Sequence, residues 1–505
     1  MNQATQMIPQ ASDYIRFLPE IVLALFGIAV MVLDPLIGDE GSERTLGGIA
    51  FVGTLLALAA TFYMSKDPGP GFWNMIRVDE FSVFFHYVII LIAAVTILTS
   101  YEYMAVQRIR AGEYYGLILF GVLGMTLMTS AVELVLIFIA LEISSIATYV
   151  LAGFRLREAS SVESSIKYFL LGSFATAFFL YGVALMFGAT GSTNVVAISQ
   201  SLRSNVPVLA YLATAMMFVG LGFKVASAPF HIWTPDVYEG APAPVVGLMS
   251  TAPKAAVFAV LLRVMFEANA PGRLWLIWAS AALSMCLGNI GALVQSNVKR
   301  LLAYSSIAHA GYILVAFAAA PELGTSAVMF YSAAYASMNV GAFAVVSHFA
   351  GFGERRVTLD DYSGLGRKSP FLAATLTIFL LSLIGIPITG GFLAKFYVFS
   401  TSLQAGLVWL TLIGVVNSAI GAYYYLKIIV VMYMNDPKDE VPVATVPLSL
   451  TAALAICVAA TVYLGVLPGE VLGYAQSSAV RLVQTTSSSA GVQDNTGPSG
   501  TTETP

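Results

Sequence analysis

The sequence predicts an all-α polytopic membrane protein with about 14 transmembrane helices. Hydrophobic residues make up 58% of its 505 residues and charged residues only 10%. Its apolar runs repeatedly exceed the roughly 20 residues that cross a bilayer as a helix. The first run has no basic segment before it and is too long for a signal peptide, so we expect it to be retained. The candidate spans lie near 18–37, 46–65, 80–100, 115–131, 132–153, 163–188, 207–228, 243–266, 274–294, 301–320, 325–350, 370–399, 405–433 and 446–467.

Two lysines within apolar sequence, Lys224 and Lys254, bracket a segment rich in proline. A lysine at the centre of a membrane helix costs about 2.5 to 3.5 kcal/mol on insertion scales. Each proline removes a backbone donor and crowds the preceding turn, so the prolines of this segment cannot share one regular helix. They are Pro229, Pro235, Pro242 and Pro244. Broken backbone and buried charge at membrane depth are tolerated where they line a cavity. We therefore predict that helix 7 is interrupted and lies on an ion path.

The same pattern recurs in helix 12, where a Gly-Ile-Pro segment (385–387) precedes Lys395. Lys224 and Lys395 are 171 residues apart, and Lys254 and Lys427 are 173 apart. An odd number of helices per unit places two copies in opposite orientations, so spans 4–8 and 9–13 are predicted to form two inverted five-helix repeats, with helices 7 and 12 interrupted. The predicted domains are an N-terminal three-helix segment (1–114), the first repeat (115–266), the second repeat (267–433), span 14 with a surface segment (434–484) and a disordered tail (485–505).

Basic residues in the short connections predict the orientation, because Lys and Arg are retained on the cytoplasmic side. The odd-numbered connections carry about twelve of them and the opposite side about seven. This bias predicts that both termini are periplasmic. The net charge of -4 does not indicate a function, and nothing in the sequence resembles a basic nucleic-acid-binding face.

Glu142 is predicted to lie near the middle of span 5, at the centre of the membrane. A carboxylate there is costly unless it is protonated or paired, and Lys224 and Lys254 are the cations at similar depth. Lys224, Lys254 and Lys395 each lie several turns inside a span, beyond easy snorkelling. A lysine held between an apolar environment and a carboxylate can load and release a proton. The alternative is a purely structural ion pair.

Lys167 and His309 are the remaining candidates for a proton relay. Lys167 is one turn inside span 6, where snorkelling to the interface is the alternative. His309 occupies nearly the position in the second repeat that Glu142 holds in the first, and its two ring nitrogens suit a relay. A lone histidine on an apolar helix is nonetheless more often a satisfied core residue. His86 and His348 have no ionisable neighbours in the sequence and are interpreted as structural.

The sequence predicts no redox, metal or nucleotide site. Cys286 and Cys457 lie inside spans and far apart, which argues against a disulfide framework or an iron-sulfur cluster. No His or carboxylate pair has ligand spacing on one helix, and no Gly-rich phosphate loop is present.

Charged residues at the ends of spans are given structural roles. Asp79 and Glu80 begin span 3, where carboxylates cap a helix N-terminus. The charged connection 351–369 is predicted to be a solvated face or a partner contact.

Seven segments carry a resemblance to a known family. They are Leu-Glu-Ile-Ser-Ser (141–145) with Tyr-Val-Leu-Ala-Gly-Phe (149–154), Glu-Ser-Ser-Ile-Lys-Tyr (163–168), Gly-Phe-Lys (222–224), Pro-Phe-His-Ile-Trp-Thr-Pro-Asp-Val-Tyr-Glu-Gly-Ala-Pro (229–242), Lys-Arg-Leu-Leu-Ala-Tyr-Ser-Ser (299–306) and Gly-Gly-Phe-Leu-Ala-Lys-Phe-Tyr (390–397). Together they resemble the N-type antiporter-like subunit of NADH:quinone oxidoreductase, respiratory complex I. The wider family shares the Pro-Phe-His element but usually continues Trp-Leu-Pro-Asp-Ala-His, whereas Trp-Thr-Pro-Asp-Val-Tyr (233–238) points to the N type. The resemblance covers all the predicted spans but not the polar tail.

The resemblance implies a proton channel that contains no redox centre. Glu142 and Lys224 would be the pair on helices 5 and 7, Lys254 the central relay of helix 8, and Lys395 the exit residue of helix 12. Flavin, iron-sulfur clusters and the quinone site would belong to other subunits, with electrons passing from NADH to quinone in a separate arm. The resemblance also implies a bacterial inner membrane and contacts with other membrane subunits, notably antiporter-like subunit M and small subunit K.

Two alternatives compete with this interpretation. One is a subunit of a cation/proton (Na⁺/H⁺) antiporter, and the other is a structural membrane subunit with an inactive channel. The second alternative is disfavoured because three mid-membrane lysines and Glu142 cost free energy in the membrane that packing alone does not require.

Overall fold

The computed structural model describes residues 8–37, 42–109, 111–319, 321–437 and 443–488, which are almost entirely helical. One antiparallel hairpin joins β1 (Gly69–Gly71) to β2 (Ile76–Val78). The first half contains α1 (Ala11–Arg16), α2 (Leu18–Ile37), α3 (Ser42–Met64), α4 (Glu80–Gln107), α5 (Gly112–Ser130), α6 (Leu134–Ala152), α7 (Ala159–Thr190), α8 (Val195–Ser204), α9 (Val208–Lys224), α10 (Trp233–Gly240), α11 (Ala243–Met249) and α12 (Ala252–Leu261), which continues as a π-helix (Leu262–Glu267). The second half contains α13 (Arg273–Leu293), α14 (Val298–Phe317), α15 (Pro321–Ala350), α16 (Leu365–Lys368), α17 (Pro370–Ile384), α18 (Gly390–Gln404), α19 (Val408–Met434), α20 (Leu448–Val466) and α21 (Gly469–Ser488), with 3₁₀ turns at Phe352–Glu354 and Leu359–Tyr362.

Eleven helical segments in the described part of the chain are long and apolar enough to cross a membrane. Two further apolar helices, α9 and α17, are shorter. Together with α5, these helices correspond to the predicted spans. The polytopic helical membrane class is therefore confirmed, while the count of fourteen stays a prediction.

Both predicted helix interruptions are present. α9 ends at Lys224, and the chain is irregular up to Ile232, with Ala226 in the left-handed region at φ 59°. α17 ends at Ile384 and α18 begins at Gly390, and Gly385 adopts φ 93° between them. Each break leaves backbone carbonyls without helical partners close to a lysine.

A third interruption was not predicted. α11 ends at Met249 and α12 begins at Ala252, so Lys254 lies in the first turn of a new helix rather than in the middle of a continuous one. Pro253 occupies this first turn, where its missing N–H has no intrahelical acceptor to lose.

The helices of the two predicted repeats pack in matching pairs. α5 packs on α6 and α13 on α14; α6 packs on α7 and α14 on α15; α7 packs on α9, and α15 on α17 and α18. This pairing agrees with the repeat, whose limits stay a prediction. The lysines that suggested the repeat differ in environment, because Lys254 is buried whereas Lys427 is exposed.

Part of the connection 351–369 is folded into the protein, contrary to the expectation of a solvated face. Glu354 is buried and accepts hydrogen bonds from Lys299 Nζ at 2.6 Å, Tyr103 OH at 2.7 Å and the backbone N–H of Ala243 at 2.7 Å. Arg155 lies 3.5 Å away. Burial alone would raise the pKa of Glu354, but Lys299 and Arg155 outweigh it and hold the pKa below its usual value. One carboxylate therefore joins segments of both halves of the chain.

Asp79 caps α4 as predicted, since its side chain accepts from Ser82 N at 2.8 Å. Its oxygens also bind Arg263, which is fully buried, at 2.9 and 3.0 Å. Burial would raise the pKa of Asp79, but Arg263 and Arg77 outweigh it and lower the pKa. Arg263 lies within predicted span 8 and was overlooked, although a basic residue in apolar sequence is the same signal that identified the lysines.

The C-terminal segment extends further as a helix than predicted. α21 continues to Ser488 and packs on α15 and α4. The first four residues of the predicted disordered tail, 485–488, are therefore helical. The remainder of that tail, 489–505, lies outside the described residues.

Candidate functional site

The three predicted lysines and His309 are all buried inside the protein. The exposed fraction is 3% for Lys224, 2% for Lys254, 7% for Lys395 and 1% for His309. Within the described ranges, no carboxylate lies within 4 Å of any of the three lysine nitrogens, and each donates instead to hydroxyl or carbonyl oxygens. Dipoles of hydroxyl and carbonyl groups, and not a fixed counter-charge, therefore surround the three ammonium groups.

Lys224 is held by three hydroxyl groups. Its Nζ donates to Ser145 Oγ at 3.0 Å, Tyr168 OH at 3.0 Å and Thr148 Oγ1 at 3.4 Å. Glu142 Oε1 is buried and has no hydrogen-bond partner. The expected ion pair between Glu142 and Lys224 is therefore open in this structure.

The open pair follows from the register of α6. Glu142 and Ser145 are three residues apart, so they lie on one face of the helix and about 4.5 Å apart along its axis. Lys224 contacts the serine and the turn beyond it rather than the carboxylate.

Lys254 is anchored to α14 through a single residue. Its Nζ donates to the backbone oxygen of Ser306 at 2.8 Å and to the hydroxyl oxygen of the same residue at 2.6 Å. Tyr335 OH also donates to Ser306 Oγ, at 2.8 Å. Lys254 thus begins a row of hydroxyl groups that leads into the second half of the protein.

His309 lies beside Tyr335, the last group of that row, and both of its ring nitrogens are near hydroxyl groups of other tyrosines. Nδ1 is 2.8 Å from Tyr331 OH, and Nε2 is 3.3 Å from Tyr425 OH. The ring stacks on that of Tyr335 with centroids 5.1 Å apart, and Tyr425 also contacts Ser305. A neutral imidazole with a hydroxyl group at each nitrogen can accept a proton on one side and donate one on the other.

A short sequence repeat bears on the predicted correspondence between His309 and Glu142. The four residues Ser-Ser-Ile-Ala occur at 144–147 and again at 305–308. Thr148 follows the first copy and His309 follows the second. This match aligns His309 with Thr148, and the serine that it aligns in the two segments, Ser145 and Ser306, accepts from Lys224 in one and from Lys254 in the other.

Lys395 uses the break between α17 and α18. Its Nζ donates to the carbonyl oxygens of Leu383 and Ile384 and to Ser418 Oγ, each at 2.9 Å. The ammonium also lies 5.0 Å from the centre of the Tyr312 ring. Lys395 also lines an open, mostly apolar cavity of about 540 Å³ beside the break, between α18 and α19.

Lys167 stands apart from these central residues. Its side chain is 42% exposed, and its Nζ forms ion pairs with Glu163 at 2.7 Å and Asp236 at 2.9 Å. Arg300 also pairs with Asp236, at 2.7 Å, and with Glu239 at 2.8 Å. Burial would raise the pKa of Asp236, but Lys167 and Arg300 outweigh it and lower the pKa.

This exposed cluster borders the Lys224 site. Tyr168 follows Lys167 in α7, and its hydroxyl contacts Lys224. Its ring stacks on Trp233 with centroids 4.4 Å apart, and α10, which begins with Trp233, also carries Asp236. The structure thus places Lys167 at the rim of the site and not in its row of buried groups.

The prediction that His86 has no ionisable neighbour was wrong. His86 Nε2 lies 2.9 Å from Glu20 Oε1, and both side chains are buried. Its Nδ1 is 3.0 Å from Thr129 Oγ1. Sequence reasoning missed the pair because the two residues are 66 positions apart on different helices.

The described residues contain no group of three or more His, Cys, Asp or Glu side chains that could hold a metal ion. Cys286 and Cys457 are both free thiols.

Residues 131–421 match the family described as NADH:quinone oxidoreductase/Mrp antiporter, transmembrane. A relative from Koribacter versatilis, named NADH-quinone oxidoreductase subunit N 2, is 66% identical over 481 residues, which cover 94% of this chain and 98% of the relative. A chain of respiratory complex I from Thermus thermophilus with bound Aureothin is 38% identical, covers 90% of this chain and 98% of that chain, and has a TM-score of 0.78.

A chain of the Mrp complex from Dietzia superposes with a TM-score of 0.82 but is only 21% identical, covering 94% of this chain and 99% of that chain. At that identity the likeness concerns the fold alone. The name of the relative and the Thermus match favour the complex I interpretation over the cation/proton antiporter.

Proposed function

The chain belongs to the subunit N family of NADH-quinone oxidoreductase, and from this premise we propose that protons cross it through Glu142, Lys224, Lys254, His309 and Lys395. The protein is a proton-translocating, antiporter-like membrane subunit of an enzyme complex that reduces quinone. The route is supported by one observation above all: three lysines are buried without a carboxylate partner within 4 Å in the described residues, and each donates to a hydroxyl group that can pass a proton.

The first step of the route is loading of Lys224. With the pair to Glu142 open, the ammonium donates to hydroxyl groups and lies near the rings of Tyr149 and Tyr168. Closing the pair favours the protonated lysine and opening it favours release. Lys167 and Asp236, at the rim, supply charged groups that bring protons toward Tyr168 and Lys224.

The second step passes the proton between the two halves of the protein. Ser306, Tyr335 and the His309 ring form the contacts between Lys254 and the second half. From there Lys395 is the exit residue, because it lies at a broken helix and lines a cavity. Water between these side chains completes the hydrogen-bonded path.

Replacing Glu142 with glutamine tests this route. We expect Glu142→Gln to slow NADH-driven proton transfer about ten-fold, equal to about 1.4 kcal/mol in the barrier, because Lys224 loses the group that assists its loading. The measurement is acidification of proteoliposomes that contain the assembled complex. Glu113→Gln, at an exposed position, is the control and should leave the rate unchanged. Parental pumping by an assembled Glu142→Gln complex would make the carboxylate merely structural.

The orientation of the chain gives a second prediction. Because the basic residues favour both termini outside, a cysteine at Arg356 should be labelled only from the cytoplasmic side and one at Ser204 only from the periplasmic side. The label is a membrane-impermeant thiol reagent, used in a variant in which Cys286 and Cys457 are replaced by serine. Labelling from the opposite sides would reverse the direction of the route. A cysteine at 490, expected outside, lies beyond the described residues.

The family also suggests the surroundings of the chain. The match to complex I supports other membrane subunits as partners, and we propose that antiporter-like subunit M and small subunit K are the neighbours in a bacterial inner membrane. Flavin, iron-sulfur clusters and quinone are assigned to other subunits of the complex.

A further inference from the structure

The side chain of Tyr312 contacts both His309 and Lys395. Its ring centroid lies 5.5 Å from that of the His309 ring and 5.0 Å from Lys395 Nζ. Tyr312 is buried, so little water screens these contacts. An ammonium over the face of an aromatic ring is attracted by the ring quadrupole, and the attraction is stronger where water is excluded. The Tyr312 ring therefore helps to hold the ammonium of Lys395 at this place.

The hydroxyl group of Tyr312 is anchored by Asn289 of α13, which is also buried. Asn289 Nδ2 donates to Tyr312 OH at 3.2 Å and to the backbone oxygen of Met285 at 2.8 Å. Its Oδ1 accepts from Tyr424 OH at 3.0 Å. A backbone carbonyl can only accept, so the contact with Met285 fixes which end of the amide carries the hydrogen atoms. Asn289 therefore donates to the Tyr312 hydroxyl group and restrains the ring.

Glycines beside these two residues bring α13 and α14 close together. A Cβ atom at Gly288 would lie 2.6 Å from the backbone nitrogen of Ala308, and one at Gly311 would lie 2.8 Å from a backbone nitrogen of α13. Small residues allow such close approach of helices in a membrane. Asn289 follows the first glycine and Tyr312 follows the second. The hydrogen bond between them is therefore set by backbones that pack without intervening side chains.

We propose that Tyr312 and Asn289 are positioning residues for proton transfer through Lys395. The Tyr312 ring holds the ammonium group at the break between α17 and α18, and the hydrogen bond from Asn289 holds the ring. Neither residue gains or loses a proton in this role. The inference rests on the proposed part of Lys395 in the route, and it adds the groups that keep the Lys395 side chain beside His309 and the broken helix.

Removal of the ring is compared with removal of the hydroxyl group alone, by acidification of proteoliposomes that contain the assembled complex. We expect Tyr312→Leu to slow NADH-driven acidification about 30-fold, because the ammonium loses the ring face in a desolvated site. Tyr312→Phe keeps the ring and loses only its anchor, so it should slow acidification about five-fold. A phenylalanine variant as slow as the leucine variant would overturn the proposal, because the hydroxyl group and not the ring would then be required.

A double-mutant cycle tests whether Asn289 acts through the Tyr312 hydroxyl group. Asn289→Leu has a similar shape and removes the same hydrogen bond, so it should also slow acidification about five-fold. The double variant Asn289→Leu/Tyr312→Phe should be slowed about five-fold again, and not the roughly 25-fold expected of two independent effects. A slowdown near the product of the single effects would overturn the assignment of Asn289 as the anchor.

Tyr397→Leu is the matched control, because it removes a half-buried tyrosine ring of α18 that packs on Phe330 instead. We expect parental acidification from it. A defect equal to that of Tyr312→Leu would overturn the proposal, because any lost ring near the break would then suffice.

Lys395→Ala is measured in the same series. Parental acidification by Lys395→Ala would contradict the proposed function itself. A slow Lys395→Ala with a parental Tyr312→Leu would overturn this inference alone. Gel electrophoresis establishes assembly, and if Tyr312→Leu does not assemble, Tyr312→Met takes its place, because methionine fills irregular space without a ring.

Discussion

Replacing Lys254 with alanine is expected to lower NADH-driven proton transfer about 100-fold, the lower end of what a positioned proton-transfer group contributes. Lys254 is an ionisable group at the junction of the two halves, and among the described residues its side chain donates hydrogen bonds to Ser306. Alanine leaves Ser306 and Tyr335 in place but removes the ionisable group that donates to Ser306. Quinone reduction should slow with it, because the complex couples the two reactions.

The matched control for this variant is Lys427→Ala. Lys427 stands 173 residues after Lys254, at the corresponding landmark of the second repeat, but its side chain is exposed. We expect parental activity from it. Acidification and NADH oxidation are measured together in proteoliposomes, after gel electrophoresis has established that both variants assemble. If Lys254→Ala pumps at the rate of Lys427→Ala, Lys254 is not part of the route.

Lys395→Arg should depress proton transfer about as strongly as Lys395→Ala, by about 100-fold. The reason is chemical rather than steric. Arginine keeps the positive charge and offers enough donors for the carbonyl oxygens of Leu383 and Ile384, but a guanidinium does not release its proton at any pH the protein tolerates. The arginine variant therefore shows whether position 395 needs only a fixed positive charge or a group that can lose its proton.

Proton release from proteoliposomes that contain each variant decides between these roles. A defect shared by Lys395→Arg and Lys395→Ala identifies Lys395 as a group that must lose its proton. Normal pumping by the arginine variant would show that a fixed charge suffices. The exit relay would then have to be sought at Lys254 or His309.

Much of this site could be predicted because burying charge in a membrane is costly and so leaves a clear sequence signal. Lys224, Lys254 and Lys395 stood out against apolar sequence, and prolines and glycines marked both interruptions. The same signal was present at Arg263 and was overlooked. The break before Lys254 has a weaker signature, since Ser250 and Thr251 do not interrupt a helix as proline does.

The partners of these residues could not be predicted from sequence. Tyr335 reaches Ser306 from a different helix, and Glu354 pairs with Lys299 across 55 positions. Such contacts depend on how helices pack, and helix packing is not encoded in local periodicity. Glu142 shows the same limit of sequence-based prediction. Its depth in the membrane suggested an ion pair with Lys224. In the structure, however, α6 presents hydroxyl groups to that lysine instead.

The central claim is that protons pass through the buried lysines of this chain, and the most direct test measures two rates in the same vesicles. Proteoliposomes carry the assembled complex with Lys254→Ala or Lys395→Arg, and acidification and NADH oxidation by quinone are followed together. NADH oxidation by an artificial acceptor, which bypasses the membrane subunits, is recorded alongside. We expect acidification and quinone-linked NADH oxidation both to fall steeply, while NADH oxidation by the artificial acceptor stays at the parental rate. Parental acidification and parental quinone-linked oxidation in both variants would contradict it.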